Sequence, residues 1–387
     1  MPANEASSLA RRLAAFYAAL FVLPGIHMPF FPVWLKAKEV DTGTIGIVLA
    51  APIIARLVAV PVVTREADRR DAVRAALIAS GFAAVLGYVL VGLSSGAIPI
   101  LVAYAVTSLA TAPQMPLAET YALKGLTIRS RAYGPVRLWG SLAFIAGNFV
   151  AGFAVDMIPA AELIWLIVAA SALIALTASA LPSIGGQPAT VDRSLSPRSS
   201  LLRDQPFIMV VAAASLVQAS HAMYYGFSAV QWSAAGFDGL AIAALWALGV
   251  AAEIVLFSMQ SRLPSILKPT VLLMTGAFGG ALRWAGIAFD PPLSVLIALQ
   301  LLHALSFGAT HLGALMFLAR HAPSTQLARA QGYLAMAAGL AMAGATALSG
   351  ALYRDFGSTG YAAMALMAVA GGACGLVAHR LRRETTY

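Results

Sequence analysis

Residues 182–205 read PSIGGQPATVDRSLSPRSSLLRDQ, the only long polar stretch in an otherwise apolar chain. Its Pro, Ser and Gly give it the composition of a flexible linker. On either side, apolar runs follow one another at the length a helix needs to cross about 30 Å of hydrocarbon, roughly 20 residues. Before the linker they fall near 13–35, 44–64, 72–93, 98–121, 135–156 and 161–181. After it they fall near 206–232, 239–260, 269–289, 292–319, 327–352 and 358–380. The pattern predicts an all-α integral membrane protein with twelve transmembrane helices. They form two six-helix bundles, 1–181 and 206–387, joined by a cytoplasmic linker over 182–205.

Composition supports this. Of 387 residues, 60% are hydrophobic and 11% are charged, whereas a soluble domain carries about 25% charge. So few charges cannot cover a water-exposed surface. The single Cys374 excludes an internal disulfide framework and a Cys-based metal site, and no metal site is expected. Arg11 and Arg12 precede an apolar run that continues to Trp34 and Lys36. That run is too long for a signal peptide, so the first helix is expected to be retained.

The formal charge of +9 raises nucleic-acid binding, and the positions of the charges answer it. With the N-terminus inside, the internal segments hold Arg11, Arg12, Arg65, Arg69, Arg70, Arg74, Lys124, Arg129, Arg131, Arg193, Arg198 and Arg203. They also hold Arg262, Lys268, Arg320, Arg329, Arg380, Arg382 and Arg383, against Lys36, Lys38 and Arg354 outside. This is the positive-inside bias. It places both termini in the cytoplasm and leaves no excess for nucleic acid to explain.

Three arginines remain inside the hydrocarbon, Arg56, Arg137 and Arg283, with two acids, Glu119 and Glu253. Such charges are costly and normally face a bundle interior or a wet cavity. Glu119 and Arg137 each lie nine residues from position 128, the centre of the loop expected between spans four and five. Similar depth would let them pair. Either they form a static pair locking two helices, or they contact substrate. The second is favoured by a polar stripe, because Arg137, Ser141, Phe144 and Asn148 share one helix face. Pro113 and Pro116 are expected to break the preceding helix near Glu119, and Pro24, Pro29 and Pro32 to make the first helix irregular.

In the second half, Glu253 and His303 fall near the midplane, and Arg283 can reach inward through its long side chain. A carboxylate poised between a guanidinium and an imidazole could change protonation state when a neighbour moves. Gln218, His221, Tyr225, Ser228 and Trp232 repeat at helical spacing as a polar and aromatic seam. His311, two turns beyond His303, and His27, aligned with Phe31 and Trp34, are further candidates; a packing role is open for each of them and for His221.

Other patterns carry nothing. Gly92-Leu93-Ser94-Ser95-Gly96 has the G-x-S-x-G form but ends a membrane helix, where a nucleophile elbow needs a preceding strand. The chain has no Walker-type phosphate loop and no H-E-x-x-H zinc motif. Gly371-x-x-x-Gly375 reads as helix packing. An enzyme is not expected.

Two halves of six spans with a cytoplasmic linker resemble the major facilitator superfamily. Local strings sharpen the likeness. Tyr133–Ser141 (YGPVRLWGS), His221–Ser228 (HAMYYGFS), Leu245–Glu253 (LWALGVAAE) and Pro29–Lys36 (PFFPVWLK) resemble segments of the phenylpropionate permease family, which is related to lactose permease. The resemblance implies that Glu119 and Arg137 bind substrate and that Glu253, Arg283 and His303 couple transport to protons. It also marks a departure: Ser306 stands where the permease has its coupling carboxylate. The loop after span two keeps only Arg65, Asp68, Arg69 and Arg70 of the superfamily pattern, in an atypical order.

These readings converge on a proton-coupled importer of a small aromatic carboxylate, such as 3-phenylpropionate, working by alternating access in a bacterial inner membrane. Three arginines against two glutamates leave one positive group for an organic anion. Trp34, Trp139, Tyr225 and Trp246 could stack on a ring, with binding near the midplane between the halves. His27, Glu119, Arg137, Trp139, Ser141, Asn148, Gln218 and His221 complete the expected substrate set. Glu253, Arg283, His303 and His311 are expected to handle the proton. No cofactor is expected, the proton gradient supplying the energy, and the chain is expected to act as a monomer. A sugar or nucleoside symporter and an efflux antiporter are the alternatives.

Overall fold

The structure is a computed structural model that describes residues 3–128, 133–184, 200–259, 268–323 and 326–384. Residues 185–199 of the expected linker, and with them Arg193 and Arg198, lie outside the described residues, as do Arg129, Arg131 and Arg262. The described residues are helical with no strand. In order the helices are α1 (Ala3–Ala37), α2 (Thr42–Arg69), α3 (Val73–Leu93), α4 (Ala97–Thr111), α5 (Gln114–Thr127), α6 (Gly134–Met157) and α7 (Ile164–Ser179). They continue with α8 (Gln205–Ala219), α9 (Ala222–Ala234), α10 (Gly239–Ser258), α11 (Pro269–Ile287), α12 (Leu293–Leu301), α13 (Thr310–His321), α14 (Leu327–Phe356) and α15 (Tyr361–Glu384).

These helices supply 11 stretches long and apolar enough to cross a membrane. The last, Arg329–Leu381, is 53 residues long and contains most of α14 and α15, which turn at Gly357 with φ 56°. Three further stretches are broken. Span Ala97–Leu126 divides into α4 and α5 at Pro113, as the prolines led one to expect; Pro116 is tolerated in the first turn of α5. Span Gln205–Ala234 divides at Ser220–His221. Span Leu293–His321 divides at a π-helical turn, Ala304–Ala309. By contrast α1 runs unbroken through Pro24, Pro29 and Pro32. Each proline costs one backbone hydrogen bond, which membrane helices tolerate where neighbours pack closely.

The chain forms two compact units. The first comprises Met1–Val191 with Ala229–Ala243, and the second Asp192–Ser228 with Ala244–Tyr387. In the first unit α1 lies along α6, and glycines permit the approach. A Cβ on Gly25 would lie 2.2 Å from the Phe144 carbonyl oxygen, and one on Gly147 2.6 Å from that of Val22. The carbonyls after α7 are held by donors from three helices. Arg12 donates to Ala180, Arg74 to Ser179 and Leu181, and Tyr121 to Pro182, satisfying groups a helix end leaves unpaired.

In the second unit α8 packs on α14 and α15, and α11 on α13 and α15. Its α11 presents Gly276 and Gly279 to the π-helical turn, where added Cβ atoms would lie 2.0 Å from Thr310 Oγ1 and 2.7 Å from Leu305 Cβ. Asp204 caps α8 by accepting the Phe207 N–H, and it pairs with His321 at 2.7 Å.

Gly25→Ala and Gly147→Ala should each destabilise the protein by about 1–3 kcal/mol, the cost of overpacking. Gly134, with nothing within 4 Å of its Cβ position, should accept alanine without loss. Thermal unfolding in detergent checks the contrast.

Candidate functional site

The second unit concentrates the buried polar side chains. Arg283 on α11 is fully buried, so its guanidinium must be met by protein groups. One terminal nitrogen donates to Gln300 Oε1 at 2.6 Å, and the other to His303 Nδ1 at 2.9 Å. The Tyr224 and Trp284 rings lie 4.4 and 4.6 Å from its central carbon. Among the described residues no carboxylate pairs with it. Its Nε and the Gln300 Nε2, both donors, have no acceptor.

This arrangement fixes the state of His303. Arginine only donates, so Nδ1 must present its lone pair, and the neutral ring carries its proton on Nε2. That nitrogen faces Glu253 Oε2 at 3.5 Å. The imidazole therefore stands between a cation that uses its lone pair and a carboxylate that attracts its N–H.

His221, in the break between α8 and α9, is fixed in the opposite tautomer. Its Nδ1 lies 3.1 Å from the carbonyls of Val217 and Gln218, which only accept, so Nδ1 carries the proton. Nε2 then accepts from the Ser306 hydroxyl at 3.1 Å. The two imidazoles meet edge to face, 5.5 Å apart. Around them Trp284 donates to Ser220 Oγ, Trp246 to Ser228 Oγ, and Gln218 to the Phe307 carbonyl. Tyr225 stacks on His221 at 5.6 Å and tilts against Trp246 at 5.9 Å. Arg283, His303, Glu253, His221, Tyr225, Gln218 and Trp246 are thus in one neighbourhood. His311 is exposed and stacks on Phe307 at 6.2 Å, with no hydrogen bond to this cluster among the described residues.

Gln300 escaped the sequence reading, as did Tyr224, Trp284 and Ser220. A signal existed for Gln300. It precedes His303 by three residues, so the two share a helix face, and it is a lone amide in an apolar run.

The first unit is arranged differently. Glu119 and Arg137 form no ion pair among the described residues. The helix ends explain why. The connection runs from Thr127 to Gly134, so its centre is beyond position 128. Glu119 is eight residues from the end of α5 and Arg137 three from the start of α6, about 12 and 4.5 Å at 1.5 Å per residue. Arg137 instead sits 4.0 Å from the centre of the Phe21 ring. The Tyr17 hydroxyl accepts from Tyr133.

Ser141 shares the partly buried face of Arg137, and Asn148 is buried and donates to the Ala243 carbonyl. Trp139 lies elsewhere. It is 54% exposed, in the apolar stripe of Leu138, Leu142, Val150 and Phe153, because two residues turn a helix by about 200°. His27 bonds the Tyr104 hydroxyl at 2.9 Å and stacks on Phe31 at 4.5 Å. Trp34 is fully buried and donates to the Ala161 carbonyl. These two residues are engaged in packing inside the first unit.

The profile of the family described as "MFS_1 like family" matches residues 10–363. The chain is 30% identical to the "Probable 3-phenylpropionic acid transporter" of Escherichia coli (strain K12) over 363 residues, 93% of this chain and 95% of that protein. It is 27% identical to the "Maltose permease" of Geobacillus stearothermophilus over 314 residues, 80% of this chain and 78% of that one. Among solved structures, a mutant of the nucleoside transporter NupG aligns with a TM-score of 0.85 at 16% identity, covering 96% of this chain and 99% of that chain. This last likeness is one of fold.

Gln300→Leu should cost about 1–3 kcal/mol of stability, because it strips an acceptor from a buried guanidinium. Gln300→Glu, which restores an acceptor and adds a counter-charge, should cost less. Thermal unfolding of the two variants in the same detergent separates them.

Proposed function

The chain belongs to the MFS_1-like family of membrane transporters, and from that premise we propose that it is a proton-coupled importer of a small aromatic carboxylate. It is a transporter of small molecules and not an enzyme. The proposed substrate class is that of 3-phenylpropionate. The proposed protein has twelve crossings, since a 53-residue stretch would be about 80 Å long as one helix and divides naturally into two. It has cytoplasmic termini, resides in a bacterial inner membrane, acts as a monomer by alternating access, and needs no cofactor beyond the proton gradient.

One observation carries the anion reading. Arg137 and Arg56, neither of them fully buried, are paired with no carboxylate among the described residues, so they keep charge available for a ligand. The relative named for 3-phenylpropionic acid supports the aromatic part, together with the ring-rich surroundings of His221.

The proton is assigned to Glu253. Arg283, which only donates, occupies the lone pair of His303, and the Ser306 hydroxyl is no carboxyl, so Glu253 is the carboxylate of this cluster that we propose takes the proton. Its protonation would remove the charge facing His303 Nε2 and loosen the chain from Glu253 through His303 to Arg283.

Uptake of labelled 3-phenylpropionate into vesicles tests the reading. Accumulation should require an inward proton gradient and collapse with a protonophore. Glu253→Gln should retain equilibrative exchange while losing accumulation. Failure to take up 3-phenylpropionate, with uptake of maltose or a nucleoside, would replace the anion reading with a sugar or nucleoside symporter. Unchanged accumulation by Glu253→Gln would remove that residue from coupling.

A further inference from the structure

Arg56 belongs to none of the contacts described so far. It lies 14 residues after the first residue of α2 and 13 before the last, Thr42 and Arg69. Within the apolar run 44–64 it lies about 18 Å from one end and about 12 Å from the other at 1.5 Å per residue, beyond the reach of an arginine side chain to either membrane surface.

The apolar pattern of α2 shows which way it faces. Ile47, Ile54, Val58 and Val62 are 51–62% exposed and follow one another at intervals of seven, four and four, the stripe a helix presents to lipid. At about 100° per residue, Arg56 lies some 200° from both Ile54 and Val58, diametrically opposite that stripe. Ala59, on its own side, is buried, and Pro52, Val60 and Val63 are partly buried. Yet Arg56 itself is exposed, and among the described residues it has neither a hydrogen bond nor an ion pair. A permanent charge at mid-helix, turned away from lipid and still open, needs water or a ligand around it. Arg137, one turn inside α6, does not reach this depth by helix rise.

We infer that Arg56 is a substrate-binding residue that receives the carboxylate of the transported acid at mid-membrane. Its planar fork offers two parallel donors to a carboxylate, a geometry that lysine cannot reproduce. The assignment rests on the anion reading proposed above and adds to it the group that selects for charge.

Binding to the purified full-length protein in detergent, measured by titration calorimetry, tests this with two probes, 3-phenylpropionate and the neutral 3-phenylpropan-1-ol. Arg56→Gln should weaken binding of the carboxylate by roughly ten- to hundredfold and leave the alcohol unchanged. Arg56→Lys should give a smaller loss for the carboxylate alone, and it serves the same test should Arg56→Gln fail to fold. Carboxylate affinity unchanged in both variants would overturn the assignment while leaving the anion reading intact. Equal losses for acid and alcohol would make Arg56 structural, and also overturn it. If the unmodified protein binds no 3-phenylpropionate, the anion reading fails first, and the Arg56 assignment falls with it.

Discussion

A guanidinium keeps its charge at any attainable pH, so the burial of Arg283 dictates much of the second unit. It needs acceptors, and it takes them from neutral groups, the amide oxygen of Gln300 and the imidazole of His303. Using the lone pair of His303 commits that ring to one tautomer and turns its N–H toward Glu253. The backbone serves the same end. Gly276 and Gly279 on α11 let the π-helical turn approach, and that turn follows His303 and carries Ser306. π-turns and helix breaks leave irregular backbone, which a membrane protein keeps where side chains or water can satisfy it.

The two units use charge in different ways. In the second, cation, imidazole and carboxylate form a connected chain. In the first, the charged groups stand apart: Arg137 over an aromatic face, Glu119 exposed, and Arg56 without a partner among the described residues. A connected chain suits transmission of a protonation event, and separate charges suit reception of a ligand. That division follows from the chemistry of the groups and requires no difference in fold between the halves.

Much of this was legible in the sequence. Apolar runs point to long membrane-spanning helices because hydrocarbon thickness fixes helix length, and intramembrane charges single out the candidate residues because each is expensive. Illegible parts have specific causes. Gln300 lacks a charge, so a search for costly intramembrane charges passes over it, although its amide stands out among the leucines around it. Trp139 neighbours Arg137 along the chain but points elsewhere, since adjacency in sequence is not adjacency on a helix. Equal spacing from position 128 placed Glu119 and Arg137 at one depth only while the connection between α5 and α6 was assumed symmetric about that point, and its centre lies further on. The prolines of α1 suggested irregularity, yet close packing along α6 keeps that helix continuous.

Ser306 also changes the electrostatic balance of the site. With a carboxylate at that position, Arg283 could be neutralised within the protein. With a hydroxyl that donates to His221, Arg283 and Glu253 are the formal charges of the cluster, separated by a neutral ring. Adding Arg56, Arg137 and Glu119, the intramembrane groups sum to one positive charge when Glu253 is ionised. On the proposed reading, a carboxylate on Arg56 and a proton on Glu253 enter together, and the sum is unchanged. Moving the empty and the loaded protein through its cycle then carries the same charge through the low-dielectric layer. Loading the proton without the anion would raise that sum to two, and the desolvation cost of charge in hydrocarbon opposes it; on the proposed reading the anion is what lets the proton load.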